Sequence, residues 1–164
     1  MYLAAVTPYM YRLAGEVADG VHVHPFHTVR YLREVALPAL ERGGRRGDVT
    51  LVAPAFVVVG GDDEAVRLQI AFYGSTRTYR PVLELHGRGE LSEHLYRLMA
   101  RGDIAGMAAA IDDDVLAEFA VFGATWEEAL RALRERYDGV VDRVGVYGMD
   151  AGDAEQIARA FSAS

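Results

Sequence analysis

The sequence predicts an α/β protein built on a parallel sheet, and three observations carry this. A strand at residues 2–6, a helix opened by Thr7-Pro8 and a strand at 21–24 follow one another within about two dozen residues. Such a unit goes with parallel strands and a right-handed crossover. Residues 49–59 are almost wholly apolar, the pattern of a parallel strand buried on both faces. From Thr125 onward a helix, a strand and a helix alternate again.

Each element has a local reason. Thr7 is a preferred N-cap, Pro8 is preset for a first helical turn, and Tyr9, Leu13 and Val17 share a helical face. Asp19-Gly20 ends that helix. The first strand stands at the head of the chain without a leader, linker or capping element, so it is expected to lack a neighbour. A second helix, about 28–42, carries Val29, Leu32, Val35, Ala36, Ala39 and Leu40 on its apolar positions; Gly43-Gly44 ends it, and Pro38 is expected to kink it. In the third strand Pro54 is expected at a bulge or at the end. Asp62-Asp63-Glu64 places negative charge at the start of a helix running to about Phe72, where the helix dipole favours it.

Residues 73–122 break the alternation, with helix-prone segments at about 92–101 and 114–122, and read as an excursion between a strand and its completing helix. Thr125-Trp126-Glu127-Glu128 has capping-box spacing for a helix to about Tyr137. Asp138-Gly139 turns the chain into a fourth strand, 140–147, and a last helix is expected at 151–161. No internal repeat or low-complexity segment occurs. Residues 1–164 make one domain, with four strands where a closed (β/α)8 barrel has eight strands and about 250 residues. A half-barrel is the expected architecture.

Composition narrows the chemistry. The chain has 164 residues, is 51% hydrophobic and 25% charged, and carries a net charge of −7, which argues against nucleic-acid binding. All 17 basic residues are arginine, so lysine Schiff bases, a P-loop lysine and a lysine general base are excluded. The absence of cysteine excludes thiol nucleophiles, disulfides and thiolate metal sites. No apolar run reaches a membrane span of about 18 residues, and a cytoplasmic setting is expected.

Several residues are candidates for a site. Strand alternation sets Val21 and Val23 toward the helices and His22 and His24 toward the opposite side, the interior of a barrel, with His24 nearest the C-terminal end where barrel enzymes keep their active sites. Leu3 and Ala5 are read as inner residues too. His22, His24 and His27 admit a metal reading, but the corresponding ends of the other strands, Val6, Val59 and Tyr147, supply no ligand; a packed histidine pair or a ligand contact is preferred, and no metal is expected. The turn Val6-Thr7-Pro8-Tyr9 precedes a helix N-terminus, where backbone N–H groups can receive a phosphate; Thr7 acting only as a cap is the equal alternative. Tyr73, Ser75, Tyr79, Arg80 and His86 combine aromatic faces, polar tips and a cation that suit a planar anionic ligand, with loop packing as the plain alternative. Gly60-Gly61 lacks the spacing of a nucleotide fingerprint and reads as a turn.

Residues 2–21, YLAAVTPYMYRLAGEVADGV, resemble the luciferase-like monooxygenase superfamily, in particular its coenzyme F420-dependent oxidoreductases. The resemblance continues through Val57-Val58-Val59, Ala71-Phe72-Tyr73-Gly74-Ser75-Thr76, Tyr79-Arg80-Pro81-Val82-Leu83 and Phe122-Gly123 with Thr125-Trp126-Glu127-Glu128. It implies strands 5–8 of an F420- or FMN-dependent (β/α)8 barrel that moves a hydride to or from a small organic substrate, or oxygenates it. It implies cofactor contacts at Val6, Thr7, Pro8, Tyr9, His22 and His24 and a lid at 73–122, with the first catalytic residues on strands this chain does not contain. The family commonly has glycine where Thr7 stands, and a Cβ there narrows the approach of a phosphate. Two functions follow: the C-terminal half of such an oxidoreductase, completed by an N-terminal half-barrel, or a non-catalytic half-barrel that associates with itself. Its exposed strand edges favour a homodimer or higher oligomer in either case.

Overall fold

The computed structural model describes residues 1–148 and 151–162. β1 (Tyr2–Ala5) leads into α1 (Pro8–Val17), where the Thr7 hydroxyl accepts the Met10 N–H at 3.5 Å as an N-cap. β2 (Gly20–Val23) lies parallel to β1, with Tyr2 opposite Gly20 and Ala4 opposite His22. The second helix is built in three pieces: α2 (Val29–Tyr31), a π turn (Leu32–Ala36) and α3 (Leu37–Glu41). The expected kink at Pro38 takes the form of this π turn. Proline has no N–H for the carbonyl four residues back, and the wider bond from Leu37 N–H to Leu32 O absorbs the break.

β3 (Thr50–Val59) organises the sheet. Its first residues pair with β2, residues 52–56 pair with β5 (Arg143–Tyr147), and residues 56–59 pair with β4 (Ala120–Gly123), all in parallel. Val52 is opposite both His22 and Arg143, and Phe56 is opposite both Ala120 and Tyr147. β2 and β4 therefore share one edge of β3, and β5 takes the other. Pro54 sits inside the strand, not at its end, in the interval between β2 and β4 where that edge has no paired neighbour, so the missing N–H breaks no ladder bond there.

Between β3 and β4 the excursion is helical almost throughout: α4 (Glu64–Gly74), a 3-10 turn (Arg77–Tyr79), α5 (Arg80–Leu85), α6 (Gly89–Ala100), α7 (Ile104–Ala109) and α8 (Asp113–Phe119). α9 (Trp126–Tyr137) then leads to β5, and α10 (Ala151–Ser162) follows. Thr125 accepts the Glu128 N–H at 3.4 Å, and the Glu128 carboxylate accepts the Ala124 N–H at 3.0 Å, the reciprocal bonding its spacing predicts, shifted by one residue on the return side.

The first two strands end one residue earlier than expected, at Ala5 and Val23, and α6 starts at Gly89; two further boundaries differ from the sequence reading for a visible reason. The helix expected to reach residue 122 stops at Phe119, and β4 makes a fifth strand. Arg136 of α9 explains the stop: its guanidinium donates to the carbonyls of Ala117 (3.1 Å), Glu118 and Ala120 (2.6 Å), satisfying the acceptors that a helix end leaves over. The last strand begins at Arg143, not at residue 140. The chain at Asp142 already meets β3, since Asp142 N–H donates to Leu51 O at 3.0 Å and the Asp142 carboxylate accepts the Leu51 N–H at 2.7 Å.

The faces are set by register. Leu3 pairs with Val21 and Ala5 with Val23, and Ala5, Val21 and Val23 are all buried. Leu3 and Ala5 therefore face the helices, which corrects their reading as inner residues. The opposite face carries Tyr2, Ala4, Gly20, His22, Val52 and Pro54, and the Tyr2 ring lies over Gly20, where a Cβ would come within 2.2 Å of it. Under the helices a single apolar core runs through Leu32, Leu40, Leu51, Ile70, Leu83, Leu95, Met107 and Phe119.

Candidate functional site

His24 follows β2 directly, and its N–H donates to Ala5 O at 3.2 Å, so the ends of β1 and β2 stay side by side beyond the last strand residue. Its imidazole is the centre of an aromatic group. Tyr79 stacks on it with ring centroids 4.4 Å apart, and Tyr73 meets it edge-on at 4.7 Å and 85°. Nδ1 accepts the Phe26 N–H at 3.1 Å, and Nε2 lies 3.0 Å from the Tyr79 hydroxyl. Burial lowers the pKa of His24, so its ring is neutral at pH 7 with the proton on Nε2. Tyr147, the last residue of β5, places its hydroxyl 2.6 Å from that of Tyr73 and packs edge-on against Phe56. Burial, followed by the Tyr147 contact, pushes the Tyr73 hydroxyl up to about 12; burial also raises that of Tyr79. The group thus caps the C-terminal ends of β2 and β5, with Tyr73 and Tyr79 brought over the sheet by the excursion.

Beside it, His27 is fully packed. Its Nδ1 donates to His24 O at 2.8 Å, leaving Nε2 to accept the Tyr137 hydroxyl at 3.0 Å. Burial pulls its pKa down to about 4. His27 is a tie between the β2–α2 loop and α9.

The predicted residues divide. His24, Tyr73 and Tyr79 come together. His22 does not join them and instead lies near the Tyr2 ring, 5.6 Å between centroids. Ser75 donates to Phe72 O at 2.6 Å and is buried in the helix end. Arg80 pairs with Glu84 and Glu93. His86 bonds Thr28 through Nε2 at 2.9 Å and lies 3.5 Å from Glu118, holding the excursion to the β2–α2 loop. Tyr147 and Phe26 are the members that sequence reasoning left out; a tyrosine at a strand's C-terminal end was the available signal for Tyr147. Among the described residues no three histidine or carboxylate side chains converge as a metal set.

The Val6–Tyr9 turn is largely occupied by its own helix. Pro8 has no N–H, Met10 N–H goes to the Thr7 hydroxyl and Tyr11 N–H to Thr7 O at 3.1 Å, which leaves Tyr9 N–H as the amide of that first turn for an anion. Val6 O accepts the Tyr31 hydroxyl at 3.1 Å. Pro8 and Tyr9 are exposed.

Parallel strands covered by helices, with aromatic and polar groups gathered at the strand C-terminal ends, define an α/β fold of the barrel type. The luciferase-like monooxygenase family model matches residues 1–143, and the chain belongs to that family. It is 46% identical over 156 residues to an uncharacterised protein of Mycobacterium tuberculosis, covering 88% of this chain and 46% of that one. It is 30% identical over 151 residues to the 5,10-methylenetetrahydromethanopterin reductase of Archaeoglobus fulgidus, covering 82% and 44%. The solved coenzyme F420-dependent tetrahydromethanopterin reductase of Methanopyrus kandleri superposes with a TM-score of 0.72 at 23% identity, over 96% of this chain and 48% of that structure. The chain thus spans just under half the length of the relatives it matches.

Proposed function

We propose that the chain supplies strands 5–8 of an F420-dependent oxidoreductase barrel acting on a small organic substrate, with FMN as the alternative cofactor. The carrying observation is the half-buried His24, Tyr73, Tyr79 and Tyr147 group at the C-terminal ends of parallel strands, on a chain whose family relatives include F420-dependent reductases. The residues fit such a cofactor unevenly. The aromatic group offers an apolar, hydrogen-bonding wall to a planar ring, with His22 apart from it beside Tyr2, while the Val6-Thr7-Pro8-Tyr9 turn offers a phosphate backbone amides and no cation. Coenzyme F420, when bound, gives or takes up a hydride. The residues of this chain would orient the ring and keep water from it: Tyr73 and Tyr79 from the lid, His24 from the strand end. The same reading places the protein in the cytoplasm.

Titration of the purified chain with F420 and with FMN, followed by fluorescence, tests this, both alone and mixed with the N-terminal half of a relative. Saturable binding of either cofactor, at least in the mixture, is expected. Absence of binding in both samples rejects the reading.

A second reading is favoured by the inner face of the sheet. Tyr2 is 46% exposed there, and Ala4 and His22 are exposed beside it. A parallel sheet ordinarily has both faces covered, so this face fits a second copy of the chain or a complementing half-barrel, and self-association without catalysis would satisfy it.

A further inference from the structure

Two strand edges are unpaired and complementary. The sheet runs β1–β2–β3–β5, with β4 beside β3, and among the described residues no strand pairs with the outer edge of β1 or of β5. Both strands run in the same direction, since every pairing between them is parallel. Proteins ordinarily blunt such edges with charge, proline or a bulge. Here Tyr2–Ala5 and Arg143–Tyr147 contain no proline, keep an unbroken register with their neighbours and carry one charge, Arg143. Four strands with two open edges are half of the eight that close a (β/α)8 barrel.

The register of a joint between these edges follows from the faces. Leu3 and Ala5 lie on the helix-facing side with Val21 and Leu51, and on β5 that side holds Val144 and Val146, opposite the buried Ala53 and Ala55. Matching side to side along the full length of β1 sets Leu3 against Val144 and Ala5 against Val146. Tyr2 then comes opposite Arg143, Ala4 opposite Gly145, and Val6 opposite Tyr147. The first two pairs fit on the inner face. Arg143 has no ion-pair partner among the described residues, and the Tyr2 ring is exposed to receive its guanidinium. Gly145 has open space where a Cβ would stand.

We propose that the outer edge of β5 receives β1 of a second copy in this register, and the reverse, so that two chains close one eight-stranded barrel. This rests on the self-association reading above and goes beyond it by fixing the edges and the register. It also has a consequence for the site. Tyr147, bonded to Tyr73 in its own chain, becomes the neighbour of the Val6–Tyr9 turn of the second copy across one strand spacing, about 4.8 Å. The mouth of the barrel is then walled by both chains, and Tyr2, Ala4 and His22 pass from a bare face to its interior.

The chain has no cysteine, so introduced thiols report the joint. Ala4→Cys together with Gly145→Cys on one chain should give, under mild oxidation, a covalent dimer with both thiols consumed, because opposed residues on adjacent strands lie within disulfide reach. Within a single chain β2 and β3 stand between the two positions, so the link forms only between chains. Neither single variant should link, nor should Ala4→Cys with Val144→Cys, which face opposite sides. Tyr2→Cys with Arg143→Cys reads the same register if the first pair fails to fold. Sedimentation velocity of the unmodified chain runs alongside. A two-chain species whose variants link supports the proposal. A species of more than two chains that links overturns the closure. A dimer or larger species in which neither pair links overturns the pairing and leaves self-association standing, and a monomer overturns both.

Discussion

Burial of His27 against Tyr137 shifts its pKa from 6.5 to about 4. The unfolded imidazole takes up a proton as pH falls through that window while the folded one does not. The stability is therefore complete above about pH 6.5 and is lost on acidification toward pH 4, by about 3 kcal/mol. His24, lowered in the same direction by burial, adds to the slope. Urea unfolding followed between pH 7.5 and 4.5 should show this fall. His27→Phe should flatten it while costing about 1–3 kcal/mol at pH 7.5, because the Tyr137 hydroxyl then loses its acceptor. An unchanged slope in the variant would remove His27 as the cause.

Among the elements, α1 and α3 approach through backbone. A Cβ on Gly15 would lie 2.2 Å from Leu40 O, and one on Gly43 would lie 2.5 Å from Gly15 Cα. Neither contact can be relieved by turning a side chain, so Gly15→Ala should cost about 2 kcal/mol by chemical denaturation, with the helices forced apart. Arg136→Ala, which uncovers the carbonyls at the end of α8, should cost about 1–2 kcal/mol by the same measurement. These elements were unevenly legible. The β1–α1–β2 unit and the start of α9 were readable because their signals are local: Thr7 and Thr125 cap the next few residues. β4 was not, because the apolar positions of α8, Val115, Leu116 and Phe119, run on into Val121 and Phe122 without a breaking residue. The stop comes from Arg136 sixteen residues on. The orientation of Leu3 and Ala5 was misread because alternation separates two faces without saying which one the helices cover. At the site, clustering in sequence flagged Tyr73 and Tyr79, whereas Tyr147 joins Tyr73 across 74 residues. Arg80 and His86 stood in the same cluster, but the helical turns of α5 carry them to other partners.

At the scale of the whole molecule, the described chain is an α/β sheet whose helix-facing side is packed and whose other side is partly bare. Sedimentation velocity at micromolar concentration is expected to show a dimer or larger species for the isolated chain. A monomer there, with Tyr2 and His22 still accessible, would set aside self-association and leave a complementing half-barrel as the cover. No helix among the described residues is long and apolar enough to cross a membrane.

β3 has one more consequence, and it concerns time. The strand receives β2 early, but its other edge waits for Asp142 and β5, 91 residues downstream of Leu51. Closing so long a loop is thermodynamically mild and kinetically slow, since non-local parallel pairing must be reached before its contacts reward it. Residues 64–119 can form their helices first, from neighbours in sequence. Refolding should therefore show helix signal ahead of the burial of Tyr147, and the last structure to mature should be the one on which the site depends.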